Sequence, residues 1–316
     1  MLLRVLAAVT LVIIVAVACS SSPSRPAEPP TDIATPAPDP AVSPDKTPLN
    51  YGPRSSEGLQ AILGTADLGV GRSRFGFVLT SSSGFVTAPV ASVTSRYYST
   101  EGAEGVRKET LAAEYQPWPY GNRGLYTVWM DFDRQGSWGV DIEVKGSDDA
   151  AQTAQLFFDV AESSSAPAVG AAAVRSITKT VADVDSLAQL TTGSLRDEDL
   201  YQMTIGDAAE SGRPTVVVFA SPAFCTNAVC GPQVEVLQEL KDNYSADANF
   251  VHVDFYDNPN EIQGDLTKAR LSPAVFEWGL PSIEWTFVID GDGIVTARFE
   301  AFATYAEVEQ ALRSLL

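Results

Sequence analysis

The stretch Thr215-Val-Val-Val-Phe219-Ala-Ser-Pro-Ala-Phe224-Cys225-Thr-Asn-Ala-Val-Cys230-Gly231-Pro232 sets two cysteines where a hydrophobic run gives way to a helical pattern. The β-branched run 215–219 predicts a short buried strand. Val234 to Tyr244, with Val234, Leu237 and Leu240 at helical spacing, predicts the helix. A thiol at a helix N-terminus faces unpaired backbone N–H groups and the positive end of the dipole, which favour the thiolate, the form that attacks disulfides. The spacing adds a constraint. Residues five apart on an ideal helix lie roughly 8–9 Å apart, beyond the about 7 Å across which a disulfide closes, so Cys225 and Cys230 cannot both sit in regular helix. The helix is expected to start at Gly231 or Pro232, proline suiting the first helical position and glycine a tight approach. The alternative is a first turn that unwinds on oxidation.

Farther along, Phe250-Val-His-Val-Asp-Phe255 reads as a second strand. Trp285-Thr-Phe-Val-Ile289 and Ile294-Val-Thr-Ala-Arg-Phe299 flank Asp290-Gly-Asp-Gly293, a hairpin signal. Thr304 and Glu307 form a capping box ahead of the apolar stripe Val308, Ala311, Leu312 and Leu315. Strand, cysteine loop, Gly-Pro and amphipathic helix, followed by these elements, resemble the thioredoxin-like superfamily over about residues 200–316. The resemblance implies an α/β thioredoxin-like fold and thiol–disulfide oxidoreductase activity with no cofactor. It also implies Cys225 as attacking thiolate and Cys230 as resolving thiol, the reverse order remaining open. Phe224, Gly231 and Pro232 would complete the active-site loop. Trp278-Gly-Leu-Pro281-Ser-Ile resembles the family's cis-proline loop, so Leu280 and Pro281 would hold an extended protein substrate beside the cysteines.

Three departures stand out. The spacing is C-x4-C rather than C-x-x-C, Phe224 replaces the family's tryptophan before the first cysteine, and Val218 stands where classical members carry a buried acid. Cys225-Thr with Cys230 also resembles one class of peroxiredoxin, a minor alternative because the Thr and Pro expected before the peroxidatic cysteine are missing. The rival class is a non-catalytic binding or scaffold protein in which Cys225–Cys230 is a structural disulfide. Closing so short a loop stabilises by about 2 kcal/mol, a modest gain for a domain of this size; the placement of the pair at a helix N-terminus, opposite the loop that resembles the family's cis-proline loop, favours redox use.

At the other end, Arg4, the apolar run Val5 to Val17 and Ala16-Val-Ala-Cys19 form a signal segment too short for a convincing membrane span. It resembles a bacterial lipoprotein signal. That implies cleavage after residue 18, lipidation of Cys19, and a lipid-anchored protein on the extracytoplasmic face of the cell membrane. Lipidation of Cys19 leaves an even pair among three cysteines, in a compartment where disulfides persist. Residues 19–50, rich in Ser, Pro, Ala and Asp without apolar periodicity, read as a disordered tether.

Between about 51 and 161 the chain changes character. Phe75–Leu79, Tyr126–Phe132, Trp138–Val144 and Ala154–Val160 alternate with period two, and turn formers such as Asp133–Gly136 and Gly146–Asp149 lie between them. Short alternating strands without helical pattern predict an antiparallel β-sandwich, loosely resembling immunoglobulin-like accessory domains. Trp118, Tyr120 and Trp129 are read as packing residues before binding residues. Residues 162–196 are expected to be a linker and 197–316 the thioredoxin-like domain, giving a multidomain protein.

The formal charge of −19, from 21 Lys and Arg against 40 Asp and Glu, argues against nucleic acid, whose phosphates demand clustered cations. The expected partners are a protein thiol or disulfide substrate, a redox partner, and the membrane through the lipid. Hairpin turns account for Asp148-Asp149 and Asp290/Asp292 better than calcium does. His252, the sole histidine, falls mid-strand and reads as structural. No metal site is assigned.

Overall fold

The alternating stretches of the N-terminal half all become strands in the computed structural model, which describes residues 50–99, 104–145, 150–225 and 229–316. In chain order they are β1 (Gln60–Leu63), β2 (Gly71–Ser81), β3 (Gly84–Phe85), β4 (Val90–Tyr98), β5 (Val106–Pro117), β6 (Gly124–Phe132), β7 (Gly136–Lys145) and β8 (Ala151–Val160). All pairings are antiparallel, in the order β1-β2-β6-β5-β4-β7-β8, with β3 attached to β2. The pleat puts Phe75, Phe77 and Leu79, then Tyr126, Met130 and Phe132, then Trp138, Val140 and Ile142, then Leu156 and Phe158 on one buried face. There Phe75 meets Phe158 at 4.9 Å and Phe132 meets Trp138 at 5.1 Å.

This is one nearly closed sheet rather than the two facing sheets of an immunoglobulin-like sandwich. β4 pairs with both β5 and β7, so the sheet continues where a sandwich would break. Its outer strands come together: Asn50 Nδ2 donates to Phe157 O across the seam at 2.8 Å. Period-two alternation reports only that one face is buried; it does not say whether that face curls onto itself or onto a second sheet. Trp118 is partly buried, whereas Tyr120 and Trp129 are 59% and 37% exposed. Trp129 packs edge-on against Phe299 at 6.4 Å.

The second half forms α1 (Ile205–Glu210), β9 (Thr215–Phe219), α2 (Cys230–Tyr244), β10 (Asn249–Val253), α3 (Pro259–Ile262), α4 (Pro273–Glu277), β11 (Trp285–Ile289), β12 (Val295–Glu300) and α5 (Tyr305–Arg313). The sheet order is β10-β9-β11-β12, with β10 parallel to β9 and β11 antiparallel to both neighbours. β9 is buried along its whole length, as a central strand covered on both faces should be. Val234, Leu237 and Leu240 of α2 and Val308 and Leu312 of α5 lie in the same core. Thr304 and Glu307 make the capping box, and Gly293, at φ 79°, turns the β11–β12 hairpin.

Residues 162–196 are packed rather than extended. Gly170 N–H donates to Val295 O and Ala173 N–H to Gly293 O, each at 2.8 Å, and Leu190 and Thr191 are buried. The described residues all belong to one compact unit holding two hydrophobic cores. Two arginines tie those cores together. Arg74 of β2, 5% exposed, donates through Nε and Nη2 to the Glu307 carboxylate at 2.9 and 3.1 Å, and also to Glu300 O and Phe302 O. Arg298 of β12 reaches the Asp67 carboxylate at 2.8 Å. The expected signal segment, Cys19 and the tether up to residue 49 lie outside the described residues, as does the Gly146–Asp149 turn.

Candidate functional site

β9 ends at Phe219, and Phe224 N–H donates back to Ser221 O to form a turn that delivers Cys225. Cys230 is the first residue of α2, and the two are joined as a disulfide with Cα atoms 5.9 Å apart. One cysteine in the loop and one at the helix N-terminus satisfies the reach argument from the spacing. The two sulfurs are unequal, because Cys230 is fully buried whereas Cys225 is only partly so. Phe224 is half-buried and packs edge-on to Tyr256 at 6.0 Å.

Two local expectations are corrected. The helix begins at Cys230 rather than at Gly231 or Pro232. Pro232 remains acceptable because the N–H groups of the whole first turn lack intrahelical partners. Gly231 has helical rather than positive φ, and a Cβ there would meet no neighbour, so no tight approach requires it. The second correction concerns Pro281: among the described residues no peptide bond is cis. Gly279, at φ 58°, makes the bend instead; a Cβ there would stand 2.5 Å from Ser165 O. Leu280 is buried and its N–H is already donated to Val275 O at 3.0 Å, so that group is not available to a substrate strand. The loop nevertheless approaches the cysteines through the residue that follows it.

That residue is Glu284, immediately ahead of β11 and 3% exposed. A carboxylate oxygen of Glu284 and the sulfurs of Cys225 and Cys230 all lie within 4.8 Å of one another. Val218, the strand position expected to carry an acid in classical members of the family, is fully buried in β9 and pairs with Thr286 of β11. Two residues before Thr286, on the same side of the strand, stands Glu284. The carboxylate nearest the cysteines is thus supplied by the residue just ahead of β11 rather than by β9. No spacing motif announces it; the only hint is a charged residue directly ahead of the apolar run 285–289.

His252 sits one strand away and does not join the cluster. Its Nε2–H donates to Ala220 O at 3.1 Å and its Nδ1 accepts from Tyr201 OH at 2.6 Å. Burial holds its pKa down at about 4, so it is a neutral structural group. Asp254 accepts from Thr192 N–H and Oγ–H and from Tyr256 N–H; burial pushes its pKa up to about 6. At the seam between the cores Glu300, receiving Ser282 Oγ–H and Asp67 N–H, is pushed up to about 7 by burial. A cleft of about 450 Å³ on the N-terminal sheet, lined by Arg54, Thr94, Asp141, Glu143 and Gln155, shares no residue with the cysteine site.

No family model matches the sequence, and no curated protein matches it. Among solved structures, the soluble domain of PmoD from Methylocystis sp. ATCC 49242 (Rockwell) aligns over 35% of this chain and 97% of its own, at 12% identity and a TM-score of 0.26. A likeness that shallow carries no argument about fold or function.

Proposed function

We propose that the protein is a thiol–disulfide oxidoreductase whose C-terminal half is a thioredoxin-like domain, exported and anchored through a lipid on Cys19 at the extracytoplasmic face. The observation that carries this is the inequality of the cysteine pair: one accessible sulfur in a loop, its partner buried at the first position of a 15-residue helix. Exchange needs one sulfur that a substrate can reach, and a partner at a helix N-terminus, where the thiolate is favoured, makes the better resolving thiol. The strand order β10-β9-β11-β12, with the pair between the central strand and α2, supports the thioredoxin-like reading. Among the described residues no helix is long and apolar enough to cross a membrane, and lipid on Cys19 would supply the attachment.

In the reducing direction the Cys225 thiolate attacks one sulfur of a substrate disulfide. The substrate S–S bond breaks, and its leaving sulfur takes up a proton. Cys230 then loses its proton and attacks Cys225 Sγ, so the second substrate thiol departs and the Cys225–Cys230 bond forms. Two electrons pass from the protein to the substrate, and a dithiol partner must return them. The dipole of α2 favours the thiolate at Cys230. Access decides the first attack and assigns it to Cys225. Trapping tests this: Cys230→Ser should accumulate a mixed disulfide with a protein disulfide substrate, Cys225→Ser should not, and adducts from neither would count against catalysis.

A further inference from the structure

The geometry points to a second use of the same cysteine pair: in the dithiol state, Cys225 and Cys230 together with Glu284 bind a thiophilic dication of the zinc class. Three separate elements converge to place them, namely the loop after β9, the first residue of α2 and the residue ahead of β11. Their ligand atoms all lie within 4.8 Å of one another. Around Zn²⁺, with bonds of about 2.3 Å to sulfur and about 2.0 Å to oxygen, tetrahedral ligand atoms stand roughly 3.5–3.8 Å apart. The Glu284 oxygen thus needs to close by at most about 1 Å, within the reach of a side-chain rotation. The sulfurs must separate, which reduction of the bond permits; Cys230 is held in the core at the start of α2, and Cys225 is the more exposed of the two.

The donor set chooses the ion. Two thiolates and one carboxylate suit a borderline-soft ion, whereas Ca²⁺ and Mg²⁺ take all-oxygen shells. Three anionic ligands on a dication leave one net negative charge, which the N-terminus of α2 partly offsets. Three protein ligands leave the fourth position to water or an incoming group. The ion and the disulfide exclude each other, because the S–S bond uses both thiolates: two-electron oxidation by a substrate disulfide forms the bond and releases the ion. Metal binding by the dithiol form does not depend on whether the pair turns over.

The test is a zinc titration of the full chain, reduced with a phosphine and freed of reductant, against a chromophoric chelator. One Zn²⁺ per chain is expected, with none bound after oxidation to the disulfide. Co²⁺ should give tetrahedral d–d bands with thiolate charge transfer, and E284Q should weaken zinc binding at least tenfold. X-ray absorption of the zinc-loaded native chain requires no variant and should show two sulfurs with oxygen in the shell. No binding by the reduced chain, a shell without sulfur, or equal affinity in E284Q would overturn the proposal; in the last case slowed exchange would give Glu284 a proton-handling role instead. Exchange without zinc binding refutes this inference alone, and zinc binding without exchange refutes the proposed function alone.

Discussion

Replacing Arg74 with Met tests whether the two cores stabilise each other. The guanidinium is buried and makes four hydrogen bonds to the second half: two to the Glu307 carboxylate, one to Glu300 O and one to Phe302 O. Methionine keeps much of the volume but leaves a partly buried carboxylate without its counter-ion, held only by Thr304, and takes one donor from each of two carbonyls. Breaking a buried pair from one side costs about 3–5 kcal/mol. With a urea m-value of about 3 kcal/mol/M, the midpoint should fall by about 1–2 M at constant m. Glu307 also belongs to the capping box, which glutamine can maintain. The double variant Arg74→Met/Glu307→Gln should therefore recover part of the loss, because the unpaired charge has gone with its partner. Urea unfolding followed by tryptophan fluorescence and circular dichroism measures both. A shift below about 0.3 M, or strictly additive single and double variants, would refute the view that this pair couples the cores.

Three further outcomes follow from the same geometry. Glu300 has a folded pKa raised to about 7 from 4.5, so its contribution to stability is complete below about pH 4.5 and is lost as pH rises through 7, up to about 3 kcal/mol. Glu300→Gln should flatten this fall in urea midpoints measured from pH 5 to 8, and parallel curves for both proteins would contradict it; Asp254, raised to about 6, and His252, lowered to about 4, act with opposite sign and equally in both proteins, so they drop out of the difference between the curves. Tyr201→Phe removes the donor to buried His252 Nδ1 and should cost about 1–3 kcal/mol, read as a lowered thermal midpoint; an unchanged midpoint would show that the bond contributes nothing net. Iodoacetamide applied to the reduced protein should label Cys225 much faster than Cys230, judged by peptide mass mapping, and equal rates would refute the asymmetry on which the order of attack rests.

Much of this fold is legible residue by residue, and the illegible parts share a cause. The run 215–219 reads as a buried strand because it is short, β-branched and bounded by Gly212, Pro214 and Pro222. The capping box at Thr304 and Glu307 marks its helix because it satisfies N–H groups that no packing can. Residues 138–144 and 154–160 show their alternation because one face of each strand meets solvent. What sequence does not carry is long-range closure. The curling of the N-terminal sheet depends on β4 pairing on both sides. The packing of 162–196 depends on backbone bonds to the β11–β12 hairpin, which no side-chain pattern encodes. Glu284 was hidden for the same reason: only strand order brings it beside cysteines more than fifty residues earlier in the chain. The trans Leu280–Pro281 bond departs from the resemblance, and the bend there is made by Gly279.

The central claim is that Cys225–Cys230 exchanges electrons in use, and the reduction potential of that pair tests it most directly. Titration of the purified chain in thiol–disulfide buffers, quantified by thiol alkylation, should give a midpoint between about −120 and −270 mV, the span of exchange catalysts. A midpoint below about −300 mV would mark a bond made to persist, and would contradict the proposed function in favour of a structural disulfide in a binding protein.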